Sequence, residues 1–306
     1  MLMEDRDGYI WLDGEWLPWR DAKVHVLTHT LHYGCGFFEG LRAYKTEQGV
    51  AIFRLRDHTD RLYRSAKVLQ MEIPYDKDTL NQVQREAVSR NELEGAYIRP
   101  MCFLGSEGMG LHAHNLHVHV MVAAWRWGTY LGQEAMHKGI RVHTSSYTRN
   151  HVNSLMLKAK ANGNYLNSIL AVREAAANGY DEALMLDHEG YVAEGSAENF
   201  FLVRNGKIYT PDLTSALEGI TRETVITIAR EQGLEVIEKR ITRDEVYVAD
   251  EAFFTGTAAE VTPIAELDRR TIGNGERGPI TAKLQSLYFD YVHGRRNDKP
   301  EWLDHV

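Results

Sequence analysis

The chain has 306 residues and a formal net charge of −8, with 43% hydrophobic and 25% charged side chains. This is the composition of a globular protein long enough for two domains, and an acidic balance without a basic run argues against a nucleic-acid or membrane-surface partner. Two cysteines, Cys35 and Cys102, imply no disulfide framework and predict a reducing, cytoplasmic location. No apolar run approaches the roughly 18 residues that a membrane span needs.

Residues 1–127 are predicted to form a smaller N-terminal α/β domain. Its predicted elements are a hairpin over 9–19, strands over 41–46 and 50–55, helices over 57–71 and 78–93, and a strand over 96–105. Asp13-Gly14 supplies the hairpin turn, because glycine takes a positive φ without cost. Asp57 is placed at the N-cap of the first helix.

Residues 128–139, which are polar and glycine-spaced, are predicted to connect this domain to a larger one over 140–306. Its predicted elements are strands over 140–148, 182–186, 191–195 and 234–241, a hairpin over 200–211, helices over 155–177 and 217–233, and a last helix that begins at residue 279. Lys158 and Lys160 lie about 200° apart on the helix over 155–177, so they cannot face the same side.

Four histidines precede or enter one predicted strand: His112, His114, His117 and His119. Alternating histidines on a strand face can bind a metal ion, which makes a metal hydrolase an alternative interpretation. No cysteine or carboxylate cluster accompanies them, and the first pair precedes the strand. We therefore expect solvent-facing side chains and no metal site.

Two segments have the composition of anion-binding turns. Gly219-Ile220-Thr221 opens a predicted helix, where unpaired N–H groups and the helix dipole favour phosphate. The turn over 255–258, TGTA, follows a strand and offers further amides and a hydroxyl. The chain has no GxxxxGK[ST], no GxGxxG that opens a βα unit and no GxSxG. These features favour a phosphorylated small cofactor over a nucleotide.

Pyridoxal phosphate chemistry needs four groups, and the sequence offers a candidate for each. A lysine must hold the cofactor and move protons, a carboxylate must keep the pyridine nitrogen protonated, a hydroxyl should hold the ring oxygen, and a cation or amides must hold the phosphate. The candidates are Lys158 or Lys160, Glu194, Tyr165, and Arg61 with the two turns. Spacing alone does not choose between the two lysines.

A set of motifs, taken together, is specific to one family. The chain closely resembles the branched-chain amino acid aminotransferases, within the fold-type IV (class IV) pyridoxal phosphate enzymes. The matching stretches span nearly the whole chain in the family's order: YGCGFFEGLRAY (33–44), RLYRSAKVL (61–69), AYIRPMCFLG (96–105), GMGL (108–111), AKANGNYLNS (159–168), GYDEALMLDHEGYVAEGSAENFF (179–201), LEGITRET (217–224) and FFTGTAAEVTPI (253–264). The words EGSAEN, GITR and GTAAE are highly specific at these separations, and YGxxxFEGxR points to the branched-chain enzymes over sister activities.

The resemblance implies an α+β fold with two domains, of the D-amino-acid aminotransferase type, and pyridoxal 5'-phosphate at the domain interface. It selects Lys160 as the residue that forms the Schiff base, with Tyr165 and Glu194 on the cofactor ring. The other implied cofactor contacts are Arg61, Leu217, Gly219, Ile220, Thr221, Gly256 and Thr257. The implied substrate contacts are Tyr33, Phe38, Gly40, Tyr97, Arg99, Leu111, Trp127, Tyr130, Thr257 and Ala258.

The activity implied by the resemblance is reversible, ping-pong transamination of L-leucine, L-isoleucine and L-valine with 2-oxoglutarate, which gives branched-chain 2-oxo acids and L-glutamate. Tyr33 and Leu111 would reach the neighbouring active site of a homodimer or higher homo-oligomer. The alternative within the same fold is a transaminase that acts on D-amino acids or (R)-amines. The histidine-rich segment after Leu111 departs from the family pattern and leaves specificity at the rim of the substrate pocket undefined.

Overall fold

The computed structural model describes residues 2–128 and 132–306. The strands are β1 (Tyr9–Leu12), β2 (Glu15–Pro18), β3 (Gly36–Phe38), β4 (Leu41–Thr46), β5 (Gly49–Phe53), β6 (Ala96–Leu104), β7 (Val118–Trp125), β8 (Ile140–Thr144), β9 (Glu182–Leu186), β10 (Val192–Gly195), β11 (Asn199–Arg204), β12 (Lys207–Thr210), β13 (Val236–Glu238), β14 (Glu251–Gly256), β15 (Glu260–Leu267), β16 (Arg270–Thr271) and β17 (Leu303–His305). The α-helices are α1 (His29–Tyr33), α2 (Leu55–Leu69), α3 (Lys77–Arg90), α4 (Gln133–Lys138), α5 (Tyr165–Ala177), α6 (Ile220–Glu231), α7 (Arg243–Tyr247) and α8 (Pro279–Val292).

The chain forms two compact units. Unit 1 comprises Met1–Trp127, Lys158–Gly163 and Tyr291–Val306, and unit 2 comprises Gly128–Leu157 and Asn164–Asp290. Mixed helix and strand content in both units agrees with the α+β class expected from the sequence. No helix within the described ranges is long and apolar enough to cross a membrane.

Unit 1 is built on an antiparallel sheet. Over the described residues its order is β17-β5-β4-β6-β7-β1-β2, with β3 also paired to β6. The predicted hairpin of β1 and β2 is confirmed, and its turn residues Asp13 and Gly14 have φ values of 50° and 99°. Helices α2 and α3 share one hydrophobic core with the sheet through fully buried side chains such as Leu62, Leu80 and Ile98. Each such side chain contributes about 1.5–3 kcal/mol by leaving water.

Two residues, Glu39 and Gly40, separate β3 from β4, although both strands pair with β6. The Glu39 N–H donates to the Pro100 carbonyl at 2.9 Å. Pro100 has no N–H to donate in return, so the ladder is interrupted at this point. The side chain of Glu39 is fully buried beside the interruption.

Helix α2 begins at Leu55, and the predicted N-cap at Asp57 is wrong. The N-cap is Arg54, which has a left-handed backbone with a φ of 55°. Asp57 lies in the first turn, and its carboxylate accepts from Arg54 Nε at 2.5 Å. The Asp57 carboxylate is therefore paired with Arg54, and no side chain caps the helix.

Unit 2 is built on a mixed sheet. Over the described residues its order is β10-β9-β8-β15-β14-β11-β12-β13, with β16 paired to β15. Strands β8 and β9, β8 and β15, and β12 and β13 pair in parallel. The hairpin predicted over 200–211 is confirmed as β11 and β12, and Asn205 and Gly206 at its turn have φ values of 50° and 73°.

The predicted helix over 155–177 begins ten residues too early, because α5 starts at Tyr165. The preceding segment pairs with unit 1: Ala161 forms a β-bridge with Phe37, and the Lys160 carbonyl accepts from the Phe38 N–H at 3.1 Å. These tertiary hydrogen bonds replace helical ones. The lysine segment therefore belongs to unit 1, not to the domain predicted over 140–306.

Two other parts of the predicted division differ from the structure. The predicted connection over 128–139 contains helix α4 and belongs to unit 2. The C-terminal residues 291–306 belong to unit 1, because β17 pairs with β5 and the Val306 N–H donates to the Val50 carbonyl at 2.9 Å. Strand pairing distant in sequence thus places the C-terminus in the first unit.

Candidate active site

Burial separates the two candidate lysines. Lys158 is exposed, whereas Lys160 is half-buried and its Nζ lies 5.3 Å from the centroid of the Phe38 ring. The Lys160 N–H donates to Ser65 Oγ at 3.0 Å, so its backbone is held from α2 as well as from β3. A lysine with a fixed backbone and a partly dry side chain suits proton transfer, whereas Lys158 is a surface side chain.

Arg61 forms a two-point ion pair with Glu39, a residue that the sequence analysis did not select. Arg61 Nε donates to Glu39 Oε1 at 2.6 Å and Nη2 donates to Oε2 at 2.9 Å. His58 Nδ1 lies 2.8 Å from the same Oε2, and all three side chains are buried. The signal that could have found Glu39 is its position as a lone acid in an apolar run, because a buried carboxylate requires a partner.

Burial and charge act in opposite directions on this carboxyl group. Burial raises the pKa of Glu39, but the Arg61 charge and the His58 hydrogen bond outweigh it and hold the pKa far below its usual range. Burial lowers the pKa of His58 more than its bond to Glu39 raises it, and the charges of Arg61 and Lys160 also lower it. We therefore assign an ionised Glu39 and a neutral His58 whose Nδ1–H donates to it.

Five predicted substrate residues of unit 1 lie in contact with one another. They are Phe38, Gly40, Tyr97, Arg99 and Trp127. The Arg99 guanidinium carbon lies 4.4 Å from the Phe38 ring centroid, and Arg99 Nη2 donates to the Tyr97 hydroxyl at 3.1 Å. The Tyr97 and Trp127 rings are 5.2 Å apart. A Cβ atom at Gly40 would lie 2.0 Å from the Tyr97 hydroxyl, so glycine is required there. The result is an aromatic surface with one cation in it.

This surface also contains Trp125, which the sequence analysis missed although it alternates with Trp127. Its ring lies 5.2 Å from the Tyr97 ring. Within the described residues, Arg99 Nε and Trp125 Nε1 are buried donors without a hydrogen-bond partner. Such a donor costs about 1–3 kcal/mol. An oxygen-rich ligand would remove that cost.

In unit 2, Glu194 on β10 is buried and paired with Arg149. Arg149 Nε and Nη2 donate to Glu194 Oε1 at 2.8 and 2.7 Å. The Leu217 N–H donates to Glu194 Oε2 at 3.3 Å, so two predicted cofactor contacts lie together. The carboxylate is desolvated and also paired, which is the condition for keeping a charge inside a protein.

Arg149 also links Glu194 to the helix that begins at Tyr165. Its Nη1 donates to Ser168 Oγ at 3.1 Å and to Asn167 Oδ1 at 3.3 Å, both in the first turn of α5. No sequence pattern singled out Arg149. The available signal was indirect: a buried carboxylate at residue 194 needs a cation from elsewhere in the chain.

The N-terminus of α6 is an uncapped set of amides. Gly219 is the N-cap, and no side chain caps the helix. The Asn199 amide donates to the Leu217 carbonyl at 3.0 Å, and its Oδ1 would lie 1.8 Å from a Cβ atom at residue 219, so only glycine fits. Ile220 and Thr221 are the first helical residues, where the dipole and the unpaired N–H groups favour an anion.

The second predicted anion turn follows β14. Gly256 ends that strand, and Thr257 and Ala258 are half-buried in the turn to β15. Thr255 Oγ1, just before it, is a buried hydroxyl with no hydrogen-bond partner among the described residues. A buried hydroxyl that could bond to a ligand therefore lies next to this turn.

Three predicted substrate contacts are exposed or lie outside the described residues. Leu111 is 84% exposed, and Tyr33, at the end of α1, is 42% exposed with its ring 4.5 Å from that of His29. Tyr130 lies outside the described residues. Tyr33 and Leu111 have the exposure that contact with a second chain requires.

The four histidines of the candidate metal cluster have different environments. His112, His114 and His117 precede β7, and only His119 lies in it. Across residues 2–128 and 132–306, no three histidine, cysteine or acidic side chains meet in a group that could hold a metal ion. His119 instead bridges two carboxylates, with Nδ1 2.6 Å from Asp13 Oδ2 and Nε2 3.1 Å from Glu107 Oε1.

His119 is expected to titrate above its ordinary pKa of 6.5. Burial lowers the pKa, but the bonds to Asp13 and Glu107 outweigh it and raise it. The stabilisation is complete below about pH 6.5 and is lost as the pH rises through the folded-state value. Proton NMR of the His119 ring checks this, and Asp13→Asn should lower the midpoint while Asp5→Asn leaves it unchanged. A wild-type midpoint at or below 6.5 would contradict the assignment.

Comparison with known proteins identifies the class to which this fold and these residues belong. The family model described as amino-transferase class IV matches residues 36–267. The chain belongs to the amino-transferase class IV family.

Several relatives are named branched-chain-amino-acid aminotransferases. A branched-chain-amino-acid aminotransferase of Pseudomonas aeruginosa is 63% identical over 99% of this chain and 98% of its own. A crystal structure of the T.th. branched-chain amino acid aminotransferase with pyridoxamine 5'-phosphate is 51% identical, covers 98% of this chain and 99% of its own, and has a TM-score of 0.95. The crystal structure of the Escherichia coli branched-chain amino acid aminotransferase is 44% identical at the same coverage, with a TM-score of 0.96. The resemblance predicted from the motifs is confirmed.

Proposed function

We propose that this chain is a pyridoxal-phosphate-dependent transaminase that exchanges an amino group between L-leucine, L-isoleucine or L-valine and 2-oxoglutarate. The observation that carries the proposal is 63% identity over 99% of the chain to a relative named branched-chain-amino-acid aminotransferase. Family membership supports the type of reaction, and the names of the relatives support the substrate. The residues of each unit are compatible with both.

The residues of unit 2 fit the ring and phosphate of pyridoxal phosphate. When bound, this cofactor supplies an aldehyde and a pyridinium ring that withdraws electrons from the reacting carbon. Glu194 would accept the ring N–H, because its carboxylate is buried and held in place by Arg149. Tyr165 would donate to the ring oxygen. The proposed phosphate contacts of unit 2 are Leu217, Gly219, Ile220, Thr221, Gly256 and Thr257.

The residues of unit 1 would supply the amine that holds the cofactor and a cation for its phosphate. Lys160 would hold the cofactor covalently until the amine of the substrate displaces it. The freed Nζ would then remove the Cα proton of the substrate as a general base and deliver it as a general acid to the cofactor carbon that carries the nitrogen. Phe38 lies 5.3 Å from this Nζ and would restrict water near it. Arg61 would add a positive charge for the phosphate, with Nη1 as the donor beyond the two nitrogens that bond Glu39.

The aromatic surface of unit 1 would hold both kinds of substrate. Phe38, Gly40, Tyr97 and Trp127 are the proposed contacts of a branched apolar side chain, and the family resemblance assigns Thr257 and Ala258 to the substrate as well. Arg99 would receive the side-chain carboxylate of glutamate or 2-oxoglutarate, because its buried Nε has no partner among the described residues. A cation stacked on aromatic rings can bind a carboxylate and still pack against an apolar chain.

The proposal is tested by measuring amino transfer from L-leucine, D-alanine and (R)-1-phenylethylamine. We expect turnover of L-leucine, L-isoleucine and L-valine, and a preference for 2-oxoglutarate over 2-oxobutyrate, which lacks the second carboxylate. Turnover of D-alanine or the (R)-amine without L-leucine would favour the alternative activity of the same family. The proposal would be contradicted if none of the three branched-chain amino acids were turned over.

We propose further that the functional form is a homodimer or higher homo-oligomer. One face of unit 1 carries a cavity of about 230 Å³ with apolar residues such as Ile10, Met101 and Phe103 in its wall. Exposed apolar side chains lie in the adjoining segment, with Leu31 at 65% and Val26 at 76% exposure. A second copy of the chain is the proposed occupant, because the exposed Tyr33 and Leu111 that the family match assigns to the neighbouring site are in unit 1 as well.

Leu31→Asp is expected to dissociate this assembly, because it places a charge on the apolar face. Sedimentation velocity should give at least twice the chain mass for the wild type and a shift toward one chain for the variant. Val248→Asp is the matched control, since Val248 is a similarly exposed residue of unit 2. A monomeric wild type would contradict the proposal.

We also propose a cytoplasmic location, because Cys35 and Cys102 are both free thiols in the structure. Reducing compartments keep thiols in this form. Cell fractionation checks the location, and recovery of the native protein outside the cytoplasm would contradict it.

A further inference from the structure

One buried charged group near Lys160 has no part in the function proposed above. Glu39 is fully buried, and a carboxylate in that position is costly unless it is completely paired. Its two oxygens contact Arg61 and His58, and the Gly40 N–H donates to Oε2 at 3.2 Å. Such complete pairing at a break in the β-ladder indicates a role beyond filling space.

We propose that Glu39 is a positioning residue that fixes the Arg61 guanidinium in the orientation that binds the cofactor phosphate. This inference rests on the proposed pyridoxal phosphate function. Glu39 would not touch the cofactor and would act through Arg61.

The geometry of the ion pair supports this role. A carboxylate that joins Nε and Nη2 of an arginine lies in the guanidinium plane and fixes both the plane and its rotation. The direction of the remaining Nη1 group is then fixed as well. A single-point contact would leave the guanidinium free to rotate about the other bonds of the side chain.

Helix α2, which carries Arg61, and strand β3, which Glu39 follows, also hold the backbone of Lys160. Arg61 and Ser65 are one turn apart on α2, and Ser65 Oγ accepts from the Lys160 N–H at 3.0 Å. Phe38, which precedes Glu39, donates its N–H to the Lys160 carbonyl at 3.1 Å. The ion pair thus ties the residue that follows β3 to α2, next to the contacts by which each element holds Lys160. A displaced ion pair would change the phosphate contact first, because Arg61 is its direct partner.

His58 makes the arrangement directional. Its neutral ring donates from Nδ1 to Glu39 Oε2, the oxygen that also accepts from Arg61 Nη2. His58 is a third donor to the carboxylate and restrains it beyond the two contacts that Arg61 makes. The carboxylate therefore has one orientation, and it transmits that orientation to the guanidinium.

The test compares two ligands that differ only in the phosphate. Equilibrium binding of pyridoxal phosphate and of pyridoxal is measured by absorbance for the wild type, Glu39→Gln and Glu39→Asp. Glu39→Gln keeps the size of the side chain but removes its charge, and Glu39→Asp keeps the charge but is too short to join both nitrogens. We expect each variant to bind pyridoxal phosphate about tenfold more weakly, the equivalent of one charge-assisted hydrogen bond, and pyridoxal within about twofold of the wild type.

The control is Glu251→Gln, another buried glutamate, whose carboxylate accepts from the Ile280 and Thr281 N–H groups at the start of α8. This variant should not weaken the binding of pyridoxal phosphate relative to that of pyridoxal. A double-mutant cycle with Arg61→Lys should give less than the sum of the two single losses in pyridoxal phosphate binding, because both remove the same contact.

The outcomes separate this inference from the proposed function. If the Glu39 variants fold and keep the wild-type preference for pyridoxal phosphate over pyridoxal, or lose affinity for both ligands equally, the positioning role is wrong and the proposed function stands. If Glu39→Gln does not fold, the same comparison on Glu39→Asp decides. A wild type that binds neither ligand would overturn both proposals.

Discussion

Lys160→Ala is expected to abolish transamination, with a loss on the order of a thousandfold or more in turnover of L-leucine. The reason is that one amine would hold the cofactor and carry the proton, and general acid–base catalysis alone contributes about 10²–10⁴. Lys160 is the half-buried lysine beside Phe38. Steady-state kinetics and absorbance of the bound cofactor measure the loss directly.

Lys158→Ala is the matched control for this prediction. Lys158 lies two residues away, is exposed, and should retain most of the activity when changed to alanine. Borohydride reduction followed by peptide mapping should place the cofactor on residue 160. A label on Lys158, or an inactive Lys158→Ala beside an active Lys160→Ala, would show that the wrong lysine was assigned.

Glu194→Gln should reduce turnover by roughly 10²–10³ while cofactor binding falls much less. A neutral amide cannot hold the proton on the ring nitrogen, and removing one preorganised charge from a dry site typically has an effect of this size. The variant also leaves Arg149 without a negatively charged partner. Its Nε and Nη2 donate to the Glu194 carboxylate and would instead face a neutral amide. We expect a further loss of about 1–3 kcal/mol in the free energy of unfolding.

Glu182→Gln is the control for Glu194→Gln, since Glu182 is also a buried glutamate and lies on the neighbouring strand β9. Burial raises the pKa of Glu182 because it penalises the charged carboxylate, and the uncharged amide of the variant avoids that penalty. Turnover of this variant should stay near the wild-type value. Equal losses for the two variants would indicate that Glu194 has only a structural role.

The parts of the fold that were predicted correctly depend on contacts close in sequence. The turns at Asp13-Gly14 and Asn205-Gly206 adopt the positive φ values that their residue types favour. Strand β4 occupies the predicted residues 41–46, and α8 begins at Pro279 as predicted. In each case the signal and the structure lie within a few residues of each other.

The errors have the opposite character. The segment over 155–164 has a helical composition, but hydrogen bonds to Phe38 and Ser65 hold its lysine stretch outside any helix. Residues 291–306 belong to unit 1 because β17 pairs with β5, about 250 positions earlier in the chain. Local propensity contributes tenths of a kcal/mol per residue, and paired tertiary hydrogen bonds with burial outweigh it.

The family, the candidate residues and the local turns could be predicted from the residues alone, because they depend on residue identity and short spacing. The partners of the charged groups became known from the fold: Arg149 pairs with Glu194, and Glu39 with His58 contacts Arg61. Burial also gave a physical reason for Lys160 over Lys158 that the spacing of the two lysines had not supplied. A buried charge must find its counter-charge in space, and the two lie 22 residues apart in one pair and 45 in the other. No local pattern encodes that distance.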